Sequence, residues 1–160
     1  MSESEKIFEE EFESLKNDLA NKYRELGMKA SGEWEAELEV EAGDDFGRVI
    51  GLPYTEQLEK GREPTSRGGD GSLLKRIEKW IIDKGIVASI EGDISISSLA
   101  YLITRKIHRE GWRRENYGGV ELVSSVVTPK RMQGILNRLG ETLTIEFSNK
   151  IEKEIRTIVV

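Results

Sequence analysis

The stretch "SGEWEAELEVEAG" (residues 31–43) constrains this chain more than any other. Glu33, Glu35, Glu37, Glu39 and Glu41 alternate strictly with Trp34, Ala36, Leu38, Val40 and Ala42. A period of two places successive side chains on opposite faces of an extended chain, so the pattern predicts a half-buried strand over about 32–42. Trp34, Leu38 and Val40 would then pack under helices, with all five glutamates on the other face. A turn at Gly43-Asp44-Asp45 and the following "FGRVIGL" (46–52) predict a second strand pairing back antiparallel.

Helical spacing dominates elsewhere. Phe8, Phe12, Leu15, Leu19, Tyr23 and Leu26 recur at steps of three and four, predicting a helix over 4–26 capped by Ser2 or Ser4 and stopped by Gly27. Pro53 opens a short helical turn that ends at Gly61. Ser72 is placed to cap a helix over 73–84, with Leu73, Leu74, Ile77, Trp80 and Ile81 inward and Gly85 as its stop. Ser97 or Ser98 would cap another over 99–110, with Leu99, Leu102, Ile103 and Ile107 inward and Gly111 as its stop. Thr128-Pro129 is a strong start signal. Beyond it Met132, Leu136, Leu139, Leu143, Phe147, Ile151 and Ile155 form one helical stripe, which favours a single long helix despite Gly140 and the strand-like "LTIEF". Residues 86–96 read either as a small hairpin or as an extended loop, and "REPTSRGGDG" (62–71) as a mobile loop without apolar anchors.

The fold class is therefore α+β: a small antiparallel β-sheet packed by several α-helices, with long N- and C-terminal helices. At 160 residues the chain reads as one domain, with an N-terminal helix (1–27), an α/β core (28–127) and a C-terminal helical segment (128–160).

Cysteine is absent, which removes disulfides and thiolate chemistry. No apolar run reaches the ~20 residues a membrane span needs, and the acidic N-terminus is unlike a signal peptide, so a soluble, unexported protein is expected. The net charge of −6 is unevenly spread: residues 1–45 hold 15 acids and 5 bases, whereas residues 46–160 hold 15 acids and 19 bases. Such polarity suits either an acidic surface or contact between oppositely charged faces of neighbouring copies.

Groups for catalysis are sparse. His108 is the one histidine, flanked by cations and with no orienting partner visible in the sequence. Asp44, Asp45 and Asp70 have no metal-binding spacing, and "GREPTSRGGDG" lacks the lysine and hydroxyl ending of a phosphate-binding loop. No catalytic residue, metal site or cofactor is expected, and the chain does not read as an enzyme. The basic segment "RKIHREGWRR", with Arg105, Lys106, Arg109, Arg113 and Arg114 around Trp112, admits three readings. It is a helix end enriched in cations by the dipole, a phosphate-contacting patch with Trp112 as a stacking platform, or an inter-subunit contact with an acidic neighbour. The second reading makes the chain a small nucleic-acid-binding or regulatory module, although about 14 residues between the helix pair are too many for a helix-turn-helix.

In order along the chain stand "MKASGEWEAELEV", "LPYTEQLEKGREP", "LLKRIEKWIIDKGI", "SLAYLITRKIHREGW" and "VELVSSVVTPKRM". This arrangement, over roughly residues 28–150, resembles the tail-completion or head–tail joining proteins of tailed bacteriophages, and looks like the versions carried by crAss-like phages. The chain departs from them after the Gly-Arg-x-Pro element, where it has "TSRGGDGS" in place of further prolines. The resemblance implies a virion component: a ring of six or twelve copies in the neck or upper tail, assembled in the bacterial host cytoplasm. It would sit among portal, neck or tail proteins, around a channel that genomic DNA crosses without sequence-specific binding. Under that reading Gly61, Arg62, Pro64 and Arg67 form an interface loop ordered by a neighbour. The glutamates at 33, 35, 37, 39 and 41 then face the lumen or a basic patch on the adjacent copy; their plainer role is solvation and protection of a strand edge.

Overall fold

A computed structural model describes residues 1–65, 71–86, 92, 94–113 and 121–158, with side chains described as far as Arg156. Among these residues lie six helices and one two-stranded antiparallel sheet, so the α+β class with long terminal helices is borne out. The chain forms two compact units that interleave along the sequence. The first comprises residues 1–21, 38–51 and 123–160, and the second residues 22–37 and 52–122.

In the first unit, helix α1 (Glu3–Glu25) begins with a reciprocal cap. The Glu5 amide donates to Ser2 Oγ at 3.0 Å, and the Ser2 amide donates back to Glu5 Oε2 at 3.3 Å. Helix α6 (Pro129–Ile158) starts at the predicted Thr128-Pro129, where Thr128 Oγ1 accepts from the Arg131 amide at 3.2 Å. Ile7, Leu15, Ile135 and Leu139 form the core of this unit, with Phe8, Phe12, Val49, Val126, Val127 and Met132 packed against it. Arg131 ties the two helices together through Asp18 and Ser14 Oγ, and Arg138 through Glu10 and Glu11.

The stripe predicted for α6 divides. Met132 and Leu139 turn to the core together with Ile135, but Leu136 is 59% exposed and Leu143, Phe147, Ile151 and Ile155 are all exposed. A four-residue step advances about 40° around a helix, so a run of such steps rotates off the face with which it began.

Strands β1 (Glu39–Ala42) and β2 (Gly47–Ile50) pair with Glu39 opposite Ile50 and Ala42 opposite Gly47. Val40, Ala42, Gly47 and Val49 are half-buried, whereas Glu39, Glu41, Arg48 and Ile50 are exposed. Gly47 is required by packing: a Cβ there would lie 2.7 Å from the Phe12 ring.

The second unit opens with the end of α1, where Gly27 (φ 63°) closes the helix and the Met28 amide reaches back to the Tyr23 carbonyl at 3.1 Å. Residues 33–36 are not strand, as the alternation predicts, but a short helix, α2 (Glu33–Ala36), entered through Gly32 at φ 85°. Tertiary contacts override the local pattern here. The Trp34 ring packs on Tyr23 at 4.7 Å between centroids, and its Nε1 donates to Thr55 Oγ1 at 2.9 Å. Helix α3 (Thr55–Lys60) ends at Gly61. Helix α4 (Ser72–Asp83) takes Gly71 as its N-cap rather than Ser72, which is its first residue. Helix α5 (Ile96–Glu110) starts earlier than the periodicity suggests because Ser95 caps it, accepting from the Ser98 amide. The two helices pack together. Ile81 and Ala100 are fully buried, while Leu102 is 51% exposed and Trp80 38%, so neither of the last two is the core residue expected. The ambiguous 86–96 segment lies largely outside the described residues.

Candidate assembly surfaces

The five glutamates do not share a face. Glu33 and Glu35 stand two residues apart on helix α2, about 200° around its axis, and only Glu39 and Glu41 share the outer face of the hairpin. Glu35 has a side chain only 9% exposed, held between Lys29 Nζ at 2.7 Å and Arg24 Nε at 2.5 Å. The Lys29 hydrogen bond draws its carboxyl below the ordinary glutamate range, against the opposing effect of burial, with Arg24 adding to the shift. Glu33 lies 3.5 Å from Lys79, and Glu41 accepts from Arg48. Glu37 and Glu39 are exposed and form no ion pair among the described residues. Burial pushes the Tyr54 phenol up, and the nearby Glu33 carboxylate adds to it.

The Gly-Arg-x-Pro element and the end of the basic segment come together in a clip. Arg62 and Trp112 exchange backbone hydrogen bonds in both directions at 2.7 Å, forming an isolated antiparallel bridge. Beside it the Thr65 amide donates to the His108 carbonyl at 2.9 Å, Thr65 Oγ1 lies 2.5 Å from His108 Nδ1, and Arg113 pairs with Glu63. The glycines at both entrances are dictated by this approach. A Cβ on Gly61 would lie 2.2 Å from the Trp112 carbonyl oxygen, and one on Gly111 would lie 2.4 Å from that of Arg62. Residues 62–65 are thus pinned, in contrast to the mobile loop expected from composition. Arg67, Asp70 and Arg114 lie outside the described residues. Trp112 is half-buried, and His108, without a visible partner in the sequence, has one in Thr65.

Arg105, Lys106 and Arg109 are exposed along α5. Arg109 pairs with its neighbour Glu110, while Arg105 and Lys106 form no direct ion pair among the described residues. Tyr101 and Leu102 share this outer face, 56% and 51% exposed.

The distal part of α6, which the sequence marks only as the continuation of one apolar stripe, is an exposed surface. From Gly140 to Arg156 no side chain is buried, and only Thr142 is half-buried. Leu143, Phe147, Ile151 and Ile155 lie on one side at 51%, 65%, 43% and 54% exposure. A shallow depression on this side is lined by Leu143, Thr144, Glu146, Phe147 and Lys150. The exact four-residue spacing of the stripe was the available signal, since a core-facing helix returns by threes as well as fours.

Among the described residues no cluster of three potential metal ligands occurs, and no helix is long and apolar enough to cross a membrane. Compared with protein-family models, with curated proteins and with solved structures, the chain gives no match.

Proposed function

We propose that this chain is a structural subunit that assembles with copies of itself into a ring of the phage neck or upper tail, joining head to tail around the DNA channel. The order of motifs from "MKASGEWEAELEV" to "VELVSSVVTPKRM" suggests the family, and the distal half of α6 is the observation that carries an assembly role. Helices in water owe most of their stability to burying an apolar face, and this one leaves four large apolar side chains along one side in solvent. Covering them recovers about 4 kcal/mol per copy, taking about 2 kcal/mol for each fully buried side chain and their roughly half exposure. That gain is open to a neighbour in an assembly and closed to the isolated chain.

The glutamates have no place in this reading as a single lumen wall, because Glu33, Glu35 and Glu41 are paired with cations of the same chain and the five do not form a row. The test is cryo-microscopy of virions made from the genome that encodes the chain, alongside mass photometry of the purified protein. The chain should appear as a closed ring on the portal axis. Phe147→Glu with Ile151→Glu should abolish incorporation while leaving the thermal midpoint of the isolated protein unchanged, since both residues are exposed. Particles that lack the chain would sink the proposal.

A further inference from the structure

We infer that the outer face of α5 docks the β1–β2 hairpin of a second copy of this chain, an inference that rests on the ring reading for what the contact builds. Tyr101, Leu102, Arg105, Lys106 and Arg109 fall within an arc of about 140° on α5 and are all exposed. The hairpin presents the matching set. Phe46 is 45% and Ile50 37% exposed, and Glu39, Glu41, Asp44 and Asp45 are exposed beside them. Arg48 neutralises Glu41 and lies over the Phe46 ring at 5.6 Å, which leaves Glu39, Asp44 and Asp45 without an ion pair among the described residues.

Each patch therefore combines one aromatic ring, one aliphatic side chain and a surplus of charge, positive on α5 and negative on the hairpin. Their lengths also agree. Tyr101 to Arg109 spans eight helical steps, about 12 Å, and the three steps of a four-residue strand span about 10 Å. A polyanion such as duplex DNA would satisfy the cations but leave Tyr101 and Leu102 uncovered, and it would approach a chain whose net charge is −6. A protein surface with its own apolar pair satisfies both parts. Because the two patches differ, the contact is heterologous and propagates head to tail, which closes into a ring when the rotation between copies permits.

The test is a charge exchange between two variants, one carrying Arg105→Glu and Arg109→Glu, the other Asp44→Lys and Asp45→Lys. All four positions are exposed, so circular dichroism should report native folding. Sedimentation velocity of the wild type should show self-association that weakens between about 0.1 M and 0.5 M salt. Each variant alone should associate about tenfold or more weakly, since like charges then face each other at every contact. An equimolar mixture should return to near the wild-type value, because each variant's reversed patch then meets the other's, and such recovery can arise only between copies. Undiminished association of either variant overturns the inference, as does a mixture no tighter than its components. So does a wild-type chain that remains monomeric at about 1 mM. Duplex DNA binding that is lost in the arginine variant while self-association stays intact overturns it in favour of a polyanion surface. A chain present in the neck whose mixture fails to recover overturns this contact alone. Recovery by a chain absent from particles overturns the neck assignment alone.

Discussion

Glu35→Gln is the most informative single change in the second unit, because it separates charge from shape at a carboxylate the sequence places in solvent. Glutamine keeps the volume and can still accept one hydrogen bond, but it cannot neutralise both Lys29 and Arg24. Exposed ion pairs are worth about 0.2–1 kcal/mol, and breaking a fully buried pair costs about 3–5 kcal/mol. Glu35 is enclosed while its two cations are 50% and 53% exposed and can be rehydrated once it is gone. The expected loss is accordingly about 1–2 kcal/mol, a fall in thermal midpoint of about 3–6 °C for a chain of this size. The pH dependence has a definite sign. Lys29 first, and Arg24 after it, hold the folded carboxyl below its ordinary value despite burial. The stabilisation is then fully present above the unfolded glutamate pKa of about 4.3 and is lost as pH falls through the depressed folded value. A protonated glutamate resembles glutamine, so the gap between wild type and variant should close in acid. Urea unfolding followed by tryptophan fluorescence and circular dichroism, stepped from pH 7 downward, reads this directly. A variant as stable as wild type at pH 7, or a gap that persists unchanged into acid, would refute the reasoning.

The clip and the α1–α6 pairing give two further expectations. Gly61→Ala and Gly111→Ala should each cost more than about 2 kcal/mol, from left-handed backbone plus a collision with a carbonyl oxygen. Gly27→Ala, at φ 63° with nothing within 4 Å of its Cβ, should cost only about 1 kcal/mol in the same denaturation assay. Arg131→Ala removes the Asp18 ion pair and the Ser14 hydrogen bond, and should lower stability by about 1 kcal/mol, an effect that shrinks at high salt.

What was legible in the sequence was local chemistry. Gly27 and Thr128-Pro129 set helix ends through bonds spanning a few residues, and of the two caps open to the first helix, Ser2 and Ser4, the structure uses Ser2. The alternation at 31–43 misled over its first half for the opposite reason. Trp34 and Leu38, the two residues it buries, are four apart, a spacing as compatible with a helical turn as with a strand. Tyr23, Thr55, Arg24 and Lys29 decided between them, and none of those contacts has a signature within the stretch itself. The segment from Arg62 reads as a mobile loop because its partner, Trp112, is too distant in sequence for spacing to reveal. On α6, an apolar stripe records that something covers it, not whether the cover is the same chain.

Charge polarity along the sequence is likewise a poor guide to charge on the surface. The first 45 residues carry a formal excess of ten negative charges, yet part of that excess is answered within the fold by four bases from beyond residue 45. Glu10 and Glu11 share Arg138, Asp18 meets Arg131, Glu33 meets Lys79, and Glu41 meets Arg48. Two of those arginines come from the far end of the chain, so the acidic N-terminal third and the more basic remainder are partly complementary already. A surface meant to repel DNA needs carboxylates without partners, and α1 offers few. The unanswered acids concentrate instead at Glu39, Asp44 and Asp45, on a hairpin where the adjoining exposed groups are Phe46 and Ile50. Repulsion alone gives no reason to place apolar side chains beside those acids. Recognition of a surface that is both basic and apolar does, and α5 supplies one on the same chain.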